Sequence, residues 1–405
     1  MSALASTALA ERLAAKLPRG GRAVAWLGIL FGIGAAWIAL PPVTARNVVW
    51  SALVGAIAIA LGAGAISRGV KRLGWGAIAT GIIGIGLGYL ATRSDLGKLE
   101  AVVVWSALFG AMLRYATPLV FAAIGGMFSE RSGVVNIGLE GMMLTGAFFG
   151  IWAADRFGQW WIGLIVAAVA GGLLALLHAF FAIHLRADQI VGGTAVNFLA
   201  LGITGYLFID IYGGEGTPAD VPQIPTVDIG FIQDWYFVGP VLGQLNLMIW
   251  LAALTVVLAW VVMFKTPIGL RIRAVGEHPR AADTVGISVY RIRYASVVVS
   301  GILAALGGAY LSIGFVNSFN QNMTAGRGFI ALAVLIVGNW RPFGAAAAGL
   351  LFGFSSALAD RLPTYSDSAA VLFRALPYAI TLIAVAGIIG RSIPPAAVGR
   401  PYKKQ

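Results

Sequence analysis

The sequence reads Glu130-Arg131-Ser132-Gly133-Val134-Val135-Asn136-Ile137-Gly138-Leu139-Glu140-Gly141-Met142-Met143-Leu144 where one apolar segment ends and the next begins. The stretch places acids, an amide and three glycines in a region that an ordinary membrane helix would cross without interruption. Glycine permits a helix break or a close backbone approach, and a carboxylate near hydrocarbon is costly unless it meets a partner or a wet cavity. We therefore predict a discontinuous helix near Asn136. The alternative is a tight cytoplasmic turn that tolerates Glu140.

The composition places the chain among membrane proteins. Of its 405 residues 59% are hydrophobic and 11% are charged, and 54 are glycine. This apolar share far exceeds that of a soluble domain. We therefore predict an all-α, polytopic transmembrane helical bundle. The chain has no cysteine, which excludes disulfides and thiolate chemistry. Its three histidines lack metal-ligand spacing, so no metal site is expected.

Apolar runs of membrane-spanning length recur along the chain and predict about twelve spans. The tenth run is short for a bilayer of about 30 Å, so we expect a half-helix there. The predicted spans are Ala23–Leu40, Val48–Ile66, Trp75–Ala91, Val103–Met127, Val134–Ala154, Trp160–Leu185, Gln189–Phe208, Val241–Phe264, Ala295–Phe315, Gly328–Trp340, Phe343–Ala359 and Ala370–Gly390.

The basic residues predict the orientation of these spans. With the N-terminus inside, twenty of the 28 Lys and Arg residues fall in inner segments and six in outer ones. Inner loops of membrane proteins carry the excess of positive charge, so this count favours cytoplasmic termini at both ends. Because the basic residues sit in short loops, the net charge of +12 does not indicate a nucleic-acid partner.

The sequence around the opening stretch is similar to that of a known family. Thr117-Pro118-Leu119, then Gly125-Gly126-Met127-Phe128-Ser129 and the stretch from Glu130 to Gly141, resemble the permease subunit of nucleoside-type ABC importers. That superfamily also holds branched-chain amino acid and ribose permeases. The resemblance runs from roughly Val104 to Arg391. It implies an ABC permease core at 101–391, in a bacterial plasma (inner) membrane.

The remaining segments lie outside this resemblance. Residues 1–100 form an N-terminal extension with about three predicted transmembrane helices, and residues 392–405 form a basic tail that we expect in the cytoplasm. Nothing in the extension suggests transport chemistry, so a peripheral packing role is expected.

The long inner loop from Lys265 to Tyr294 is the second informative stretch. Pro279 suits the first turn of a short helix and Gly286 is placed to end it. A short cytoplasmic helix can seat in a groove of a partner, whereas an ordinary basic loop would only fix topology. The resemblance favours the first reading, since ABC permeases dock their ATPase subunits through such a loop. The predicted coupling residues are Glu277, Pro279, Arg280, Ala281, Ala282 and Gly286.

The chain contains no G-x-x-x-x-G-K-[ST] phosphate-binding loop. It is therefore predicted to be a transport subunit and not an enzyme. It is expected to bind no cofactor itself, with ATP and magnesium held by a partner ATPase subunit. The resemblance implies two further partners, a second permease in a heterodimer and an extracytoplasmic solute-binding lipoprotein. The acidic outer loop Ile209–Pro240 is either a contact surface for that lipoprotein or a solvated connector.

Polar residues within or beside the spans are candidates for the substrate path. An amide offers both a donor and an acceptor, which suits ribose hydroxyls or base edges, but it equally suits hydrogen bonds between helices. Asn136 and Glu140 would share a face on a continuous helix. We expect Glu140 to brace the discontinuous helix more than to touch solute. The candidates are Asn136, Glu140, Asn197, Asn317 and Asn320.

These observations predict an ABC importer permease that moves a nucleoside-like or related sugar solute. Two alternatives remain open. One is an ABC permease for simple sugars or branched-chain amino acids. The other is an ion-coupled secondary transporter, for which several membrane-embedded carboxylates would be expected, although Glu140 is the only acid placed inside a predicted span.

Overall fold

The computed structural model describes residues 19–39, 48–93, 105–213, 216–235, 238–361 and 393–404. These residues form mostly helices, in agreement with the predicted helical bundle. The predicted twelfth span, Ala370–Gly390, lies outside the described residues. The helices are α1 Arg19–Ala39, α2 Val48–Ser67, α3 Lys71–Arg93, α4 Trp105–Arg131, α5 Leu139–Phe157, α6 Trp160–Ala179, α7 Gln189–Tyr212, α8 Gly230–Gln233, α9 Val238–Leu242, α10 Leu247–Lys265, α11 Pro267–Glu277, α12 Pro279–Thr284, α13 Val289–Tyr310, α14 Arg327–Val337 and α15 Pro342–Arg361.

Eight helical segments of the described part are long and apolar enough to cross a membrane. Two of them continue into one π-helical turn, Phe180–His184 after α6 and Leu311–Phe315 after α13. α14 has only 11 residues and about 16 Å of length, so it cannot cross a bilayer of about 30 Å. The predicted short tenth segment is therefore confirmed. The segments that meet these criteria are Gly20–Ile38, Val48–Ser67, Trp105–Arg131, Trp160–His184, Gln189–Tyr212, Leu247–Lys265, Val289–Phe315 and Pro342–Arg361.

The chain divides into two compact units. The N-terminal unit contains α1, α2 and α3, which pack through small residues. A Cβ atom on Gly84 would lie 2.6 Å from the Cβ of Ala35, and one on Gly62 would lie 2.6 Å from the carbonyl oxygen of Gly74. Such small residues let helix backbones approach closely in lipid, where helix association depends on direct packing.

The larger unit contains α4 to α15, and its core also depends on glycine contacts. Gly146 of α5 packs directly against the backbone of Ala305 in α13, and Gly308 of α13 packs against the carbonyl oxygen of Met143. A Cβ atom on Gly171 in α6 would lie 2.7 Å from the carbonyl oxygen of Gly301. α13 therefore contacts both α5 and α6 backbone to backbone.

The chain between α4 and α5 is not helical. α4 ends at Arg131, Gly133 adopts a φ of +94°, and α5 begins only at Leu139. The expectation that a continuous span would start at Val134 is wrong here, since the glycine turn releases the backbone from helical geometry. Asn136 consequently does not share a helical face with Glu140.

The segment between α7 and α10 is more structured than a simple extended connection. Thr226–Asp228 (β1) pairs antiparallel with Gln244–Asn246 (β2), and α8 and α9 lie between them. The predicted span start at Val241 is therefore wrong, because α10 begins at Leu247 after an N-cap by Asn246. The amide of Ile224 also donates to the carbonyl of Ile313, 2.9 Å away.

The loop from Lys265 to Tyr294 contains two short helices, α11 and α12. The Thr266 hydroxyl caps α11 by accepting from the amide of Gly269 at 3.3 Å. The predicted short helix from Pro279 is confirmed as α12, which ends before Gly286 at a φ of +81°. Gly276 of α11 packs directly on the carbonyl oxygen of Arg131, so this loop lies at the same end of the unit as the Gly133 turn.

The glycine contacts of the larger unit predict the effect of a one-carbon addition. Gly146→Ala places a methyl group into the backbone of Ala305, so we expect a stability loss of about 1 to 3 kcal/mol. Gly202→Ala in α7 is the matched control, because nothing lies within 4 Å of its added carbon. Thermal unfolding of the purified protein in detergent measures both. Equal unfolding temperatures for the two variants would refute this packing account.

Candidate functional site

Glu140 joins the starts of two helices. It lies in the first turn of α5, and its two carboxylate oxygens accept hydrogen bonds from the amides of Gly326 at 2.8 Å and Gly328 at 2.6 Å. These amides belong to the N-terminal end of α14, where helix geometry leaves donors without intrahelical partners. A carboxylate there also meets the positive end of the helix dipole. Glu140 is 7% exposed, so it replaces water as the partner of these donors.

The other end of α14 is held by the residues that close α4. The indole nitrogen of Trp340 donates to a carboxyl oxygen of Glu130 at 2.6 Å. The Arg131 guanidinium donates twice to the carbonyl oxygen of Trp340, at 3.0 and 3.1 Å. Trp340 has a φ of +51°, an uncommon conformation for a bulky residue. The contacts with Glu130 and Arg131 hold it in that conformation.

Asn197 of α7 stabilises the break between α4 and α5. Its side-chain oxygen accepts from the amide of Gly141 at 2.8 Å, and its side-chain nitrogen donates to the carbonyl of Ile137 at 3.0 Å. A Cβ atom on Gly193 would lie 2.9 Å from the amide nitrogen of Gly138, so the backbone of α7 packs directly against the break. Both groups of the Asn197 amide are thus used within the protein.

Asn136 lies at the centre of a buried polar cluster. It is 0% exposed, and its nitrogen donates to the hydroxyl of Ser300 at 2.9 Å. Its oxygen has no partner among the described residues. The preceding residue, Val135, is bound at both backbone groups. The Gln189 side-chain oxygen accepts from the Val135 amide at 2.7 Å, and the His178 Nε2 lies 3.0 Å from the Val135 carbonyl oxygen.

His178 and Gln189 each also leave one buried atom, Nδ1 and Nε2, without a partner in the described part of the chain. Leaving a buried polar atom unpaired costs about 1 to 3 kcal/mol. Together with the oxygen of Asn136, these atoms make the break a place where unmet hydrogen-bonding capacity is concentrated.

Asn317 and Asn320 lie elsewhere, in the connection between the π-helical turn after α13 and the start of α14. Asn320 is exposed, and Asn317 has a φ of +59°. The structure thus brings Asn136, Glu140 and Asn197 together around the break and does not place these two asparagines with them.

An apolar cavity of about 230 Å³ lies between α4, α10 and α15. Thr117 and Trp250 bring the hydroxyl and indole groups to its otherwise aliphatic wall. The Thr117 hydroxyl already donates to the carbonyl of Leu113 at 2.8 Å. The Trp250 Nε1 has no partner among the described residues, so the cavity offers one free polar atom where the cluster around Asn136 offers three.

The predicted coupling residues fall on and around α12. Glu277, Arg280, Ala281 and Gly286 are exposed, and Pro279 is half-buried. Ala282 is 3% exposed and faces the chain's own apolar residues. The exposed side of α12 is thus formed by Arg280, Ala281 and Thr284. Within the described residues no cluster of His, Cys, Asp or Glu could hold a metal ion.

Comparison with known proteins identifies the family. The family described as the permease component of branched-chain amino acid transport systems matches residues 108–385. The chain belongs to this permease family. The first 107 residues lie outside the match.

Several curated proteins are similar to this permease. A guanosine ABC transporter permease protein of Bacillus subtilis, NupQ, is 43% identical over 327 residues, which cover 76% of this chain and 99% of that protein. A nucleoside ABC transporter permease protein of Lactococcus lactis, NupC, is 40% identical and covers 72% and 95%, respectively. The resemblance to nucleoside-type ABC permeases is confirmed by these matches. No solved structure matches the permease.

No sequence pattern marked His178, Gln189, Ser300 or Trp340 as site residues. These residues lie far along the chain from the break and carry no motif of their own. A polar residue inside an otherwise apolar run was the available signal for His178 and Ser300, and it was shared by many other positions. Gly328 was equally hidden, although a Cβ atom there would lie 2.5 Å from the backbone of Glu140.

The contacts of Glu140 predict that an isosteric substitution lowers the stability of the protein. Glu140→Gln keeps the size of the side chain but turns an NH₂ group toward one of the two amide donors of α14. Because that donor is then left unpaired, we expect a stability loss of about 1 to 3 kcal/mol. Asp234→Asn removes the same charge at an exposed position and is the control. Thermal unfolding in detergent compares them, and a Glu140→Gln protein as stable as the control would contradict the bracing role.

Proposed function

We propose that this chain is the permease subunit of an ABC importer for nucleosides, which are delivered by an extracytoplasmic binding protein. The observation that carries the proposal is the match to guanosine and nucleoside permeases over nearly their whole length, at 43% and 40% identity. The polar break at Asn136 adds a physical argument, since a hydroxyl-rich solute needs donors and acceptors within an apolar bundle.

Asn136 is the candidate best suited to face the solute. The polar atoms of Glu140 already bind α14, and those of Asn197 already bind the break. Asn136 keeps a free oxygen, with unpaired atoms of His178 and Gln189 on the neighbouring peptide. When the permease opens on one side, these atoms can bind the solute or its accompanying water. Asn317 and Asn320 remain candidates for the outer part of the path.

The permease requires partners to complete a transport cycle. We assign ATP and magnesium to a separate ATPase subunit that docks on α12. A second, different permease is the proposed membrane partner, because the relatives come as two types. NupQ and NupP of Bacillus subtilis are both guanosine ABC transporter permease proteins, yet they are 43% and 26% identical to this chain.

The proposed topology has about twelve spans in the bacterial inner membrane, with both termini in the cytoplasm. Because α14 is too short to cross alone, we count it together with the connection before it as one of these spans. The Gly133 turn, α11 and the segment Ile393–Lys404 are in contact, as shown by hydrogen bonds of the amides of Ala397 and Gly399. Their basic residues are consistent with all three segments lying on the cytoplasmic side of the membrane. Residues 1–100 are proposed as a peripheral extension of the core at 101–391.

A glucose-type solute is the second candidate. A putative glucose ABC transporter permease protein of Haloferax volcanii, TsgC13, is 34% identical over 265 residues, which cover 79% of that protein. Hydrogen bonds to sugar hydroxyls would use the same polar cluster. The two candidates differ in whether a base is required.

Uptake by the assembled importer tests the solute. Membrane vesicles that contain the permease with its ATPase, sister permease and binding protein should take up radiolabelled guanosine only when ATP is supplied. Excess unlabelled adenosine or uridine should compete, whereas ribose, glucose and leucine should not. Competition by glucose alone would favour the second candidate. Uptake that persists without ATP and follows an ion gradient would refute the assignment.

Docking of the ATPase is tested on the exposed face of α12. Ala281→Trp puts a bulky group at the centre of that face, so we expect ATPase binding to weaken by about tenfold or more. Ala219→Trp makes the same change at an exposed position between α7 and β1 and serves as the control. Co-purification of the ATPase with the permease, followed by titration, gives the affinities. Equal affinity for both variants would exclude α12 as the docking site.

A further inference from the structure

The C-terminal segment Ile393–Lys404 is tied to three separate connections of the permease. The amide of Ile393 donates to the side-chain oxygen of Asn339 at 3.0 Å, next to the end of α14. The amide of Ala397 donates to the carbonyl of Gly276 in α11 at 2.9 Å, and that of Gly399 to the carbonyl of Gly133 at 3.2 Å. We call this segment the C-terminal strap.

Tyr402 anchors the strap beside α12. It is 6% exposed and belongs to a small apolar cluster with Val275, Ala282 and Val289. Its ring lies 5.7 Å from that of Tyr290 in an edge-on arrangement. Burial raises the pKa of the Tyr402 phenol, and the hydrogen bond with the Asp283 carboxylate raises it further.

α12 depends on this cluster for its position. It has six residues, and Ala282 is its one buried residue. A helix this short has no independent stability in water, so its orientation comes from the packing of that single position. Tyr402 supplies part of that packing. Its removal therefore frees the helix that faces the partner.

Arg293 connects the strap with the base of the break. It is 1% exposed, and its Nη1 donates to the carbonyl of Arg400 at 3.1 Å. A Cβ atom on Gly133 would lie 2.8 Å from its Nη2, so the guanidinium fills the space between the Gly133 turn and the strap. A buried guanidinium is costly to desolvate. The strap carbonyl accepts from Nη1, whereas the buried Nε and Nη2 have no partner among the described residues, so the strap provides the hydrogen bond that this guanidinium has there.

We propose that the C-terminal strap transmits movement between α12 and the break, with Tyr402 as the positioning residue at the α12 end. The inference rests on the proposed function, because α12 must be the ATPase docking site for the link to matter. When ATP binding at the partner shifts α12, the strap moves with it. The hydrogen bonds of Gly399 and Ile393 then pass that displacement to the Gly133 turn and to the connection after α14.

Hydrogen exchange of the full-length permease, free and with its ATPase bound, tests the structural half of the proposal. Tyr402→Ala removes the ring, whereas Tyr402→Phe keeps the ring and loses only the hydroxyl. Lys404→Ala alters an exposed strap residue and is the control. We expect the amides of residues 279–286 to exchange about tenfold faster in Tyr402→Ala, slightly faster in Tyr402→Phe, and unchanged in Lys404→Ala. Equal exchange in all three variants would overturn the proposal.

Transport by the assembled importer tests the functional half. The number of solute molecules moved per ATP hydrolysed should fall about fivefold or more in Tyr402→Ala, while the ATPase remains bound. Fivefold is the smallest effect that energetic coupling between two sites typically has. Tyr402→Phe should restore most of the ratio. An unchanged ratio in Tyr402→Ala would overturn the role of the strap. Absence of nucleoside uptake by the unaltered importer would contradict the proposed function instead and would leave the exchange result to decide the strap.

Discussion

The structure depends on how the free backbone groups of one short helix are satisfied. α14 begins and ends inside the protein, and its first amides and last carbonyls have no partners of their own. In hydrocarbon, each unsatisfied group would cost several kcal/mol. Glu140 supplies acceptors at the start, and Arg131 supplies donors just beyond the end, with Glu130 fixing the Trp340 side chain. Residues within eleven positions of one another in sequence therefore hold both ends of a helix that lies almost 200 residues away.

The same requirement explains the rest of the break. The chain from Gly133 to Gly138 and the first turn of α5 also have backbone groups without helical partners. Gln189, His178 and Asn197 bind those of Val135, Ile137 and Gly141. The polar side chains around the break are thus mostly engaged with backbone. Of the buried side-chain atoms that remain unpaired in the described residues, three belong to Asn136, His178 and Gln189, so they form a group of free polar atoms next to the break.

Most helices and the position of the break were predictable from local sequence. The partners of the site residues were not, because they depend on contacts between residues far apart in the chain. The apolar runs located the helices, the Gly133 and Gly138 pair indicated the break, and Pro279 with Gly286 bounded α12. The start of α5 was missed, since Val134 and Val135 are as hydrophobic as any helical residue and only the glycine turn removes them from the helix. Among the site candidates, Glu140 was expected to brace the discontinuous helix near Asn136, whereas its carboxylate joins the first turn of α5 to the start of α14, almost 190 positions along the chain. Asn197 was not distinguishable from a path-lining residue, because its partners Ile137 and Gly141 lie more than 50 positions away.

The clamping of α14 at both ends constrains how this protein can change shape. A helix anchored at Gly326 and at Trp340 can neither slide along its neighbours nor unwind without exposing several donors and acceptors to lipid. Any rearrangement that keeps these hydrogen bonds therefore has to carry the end of α4 and the start of α5 along with α14.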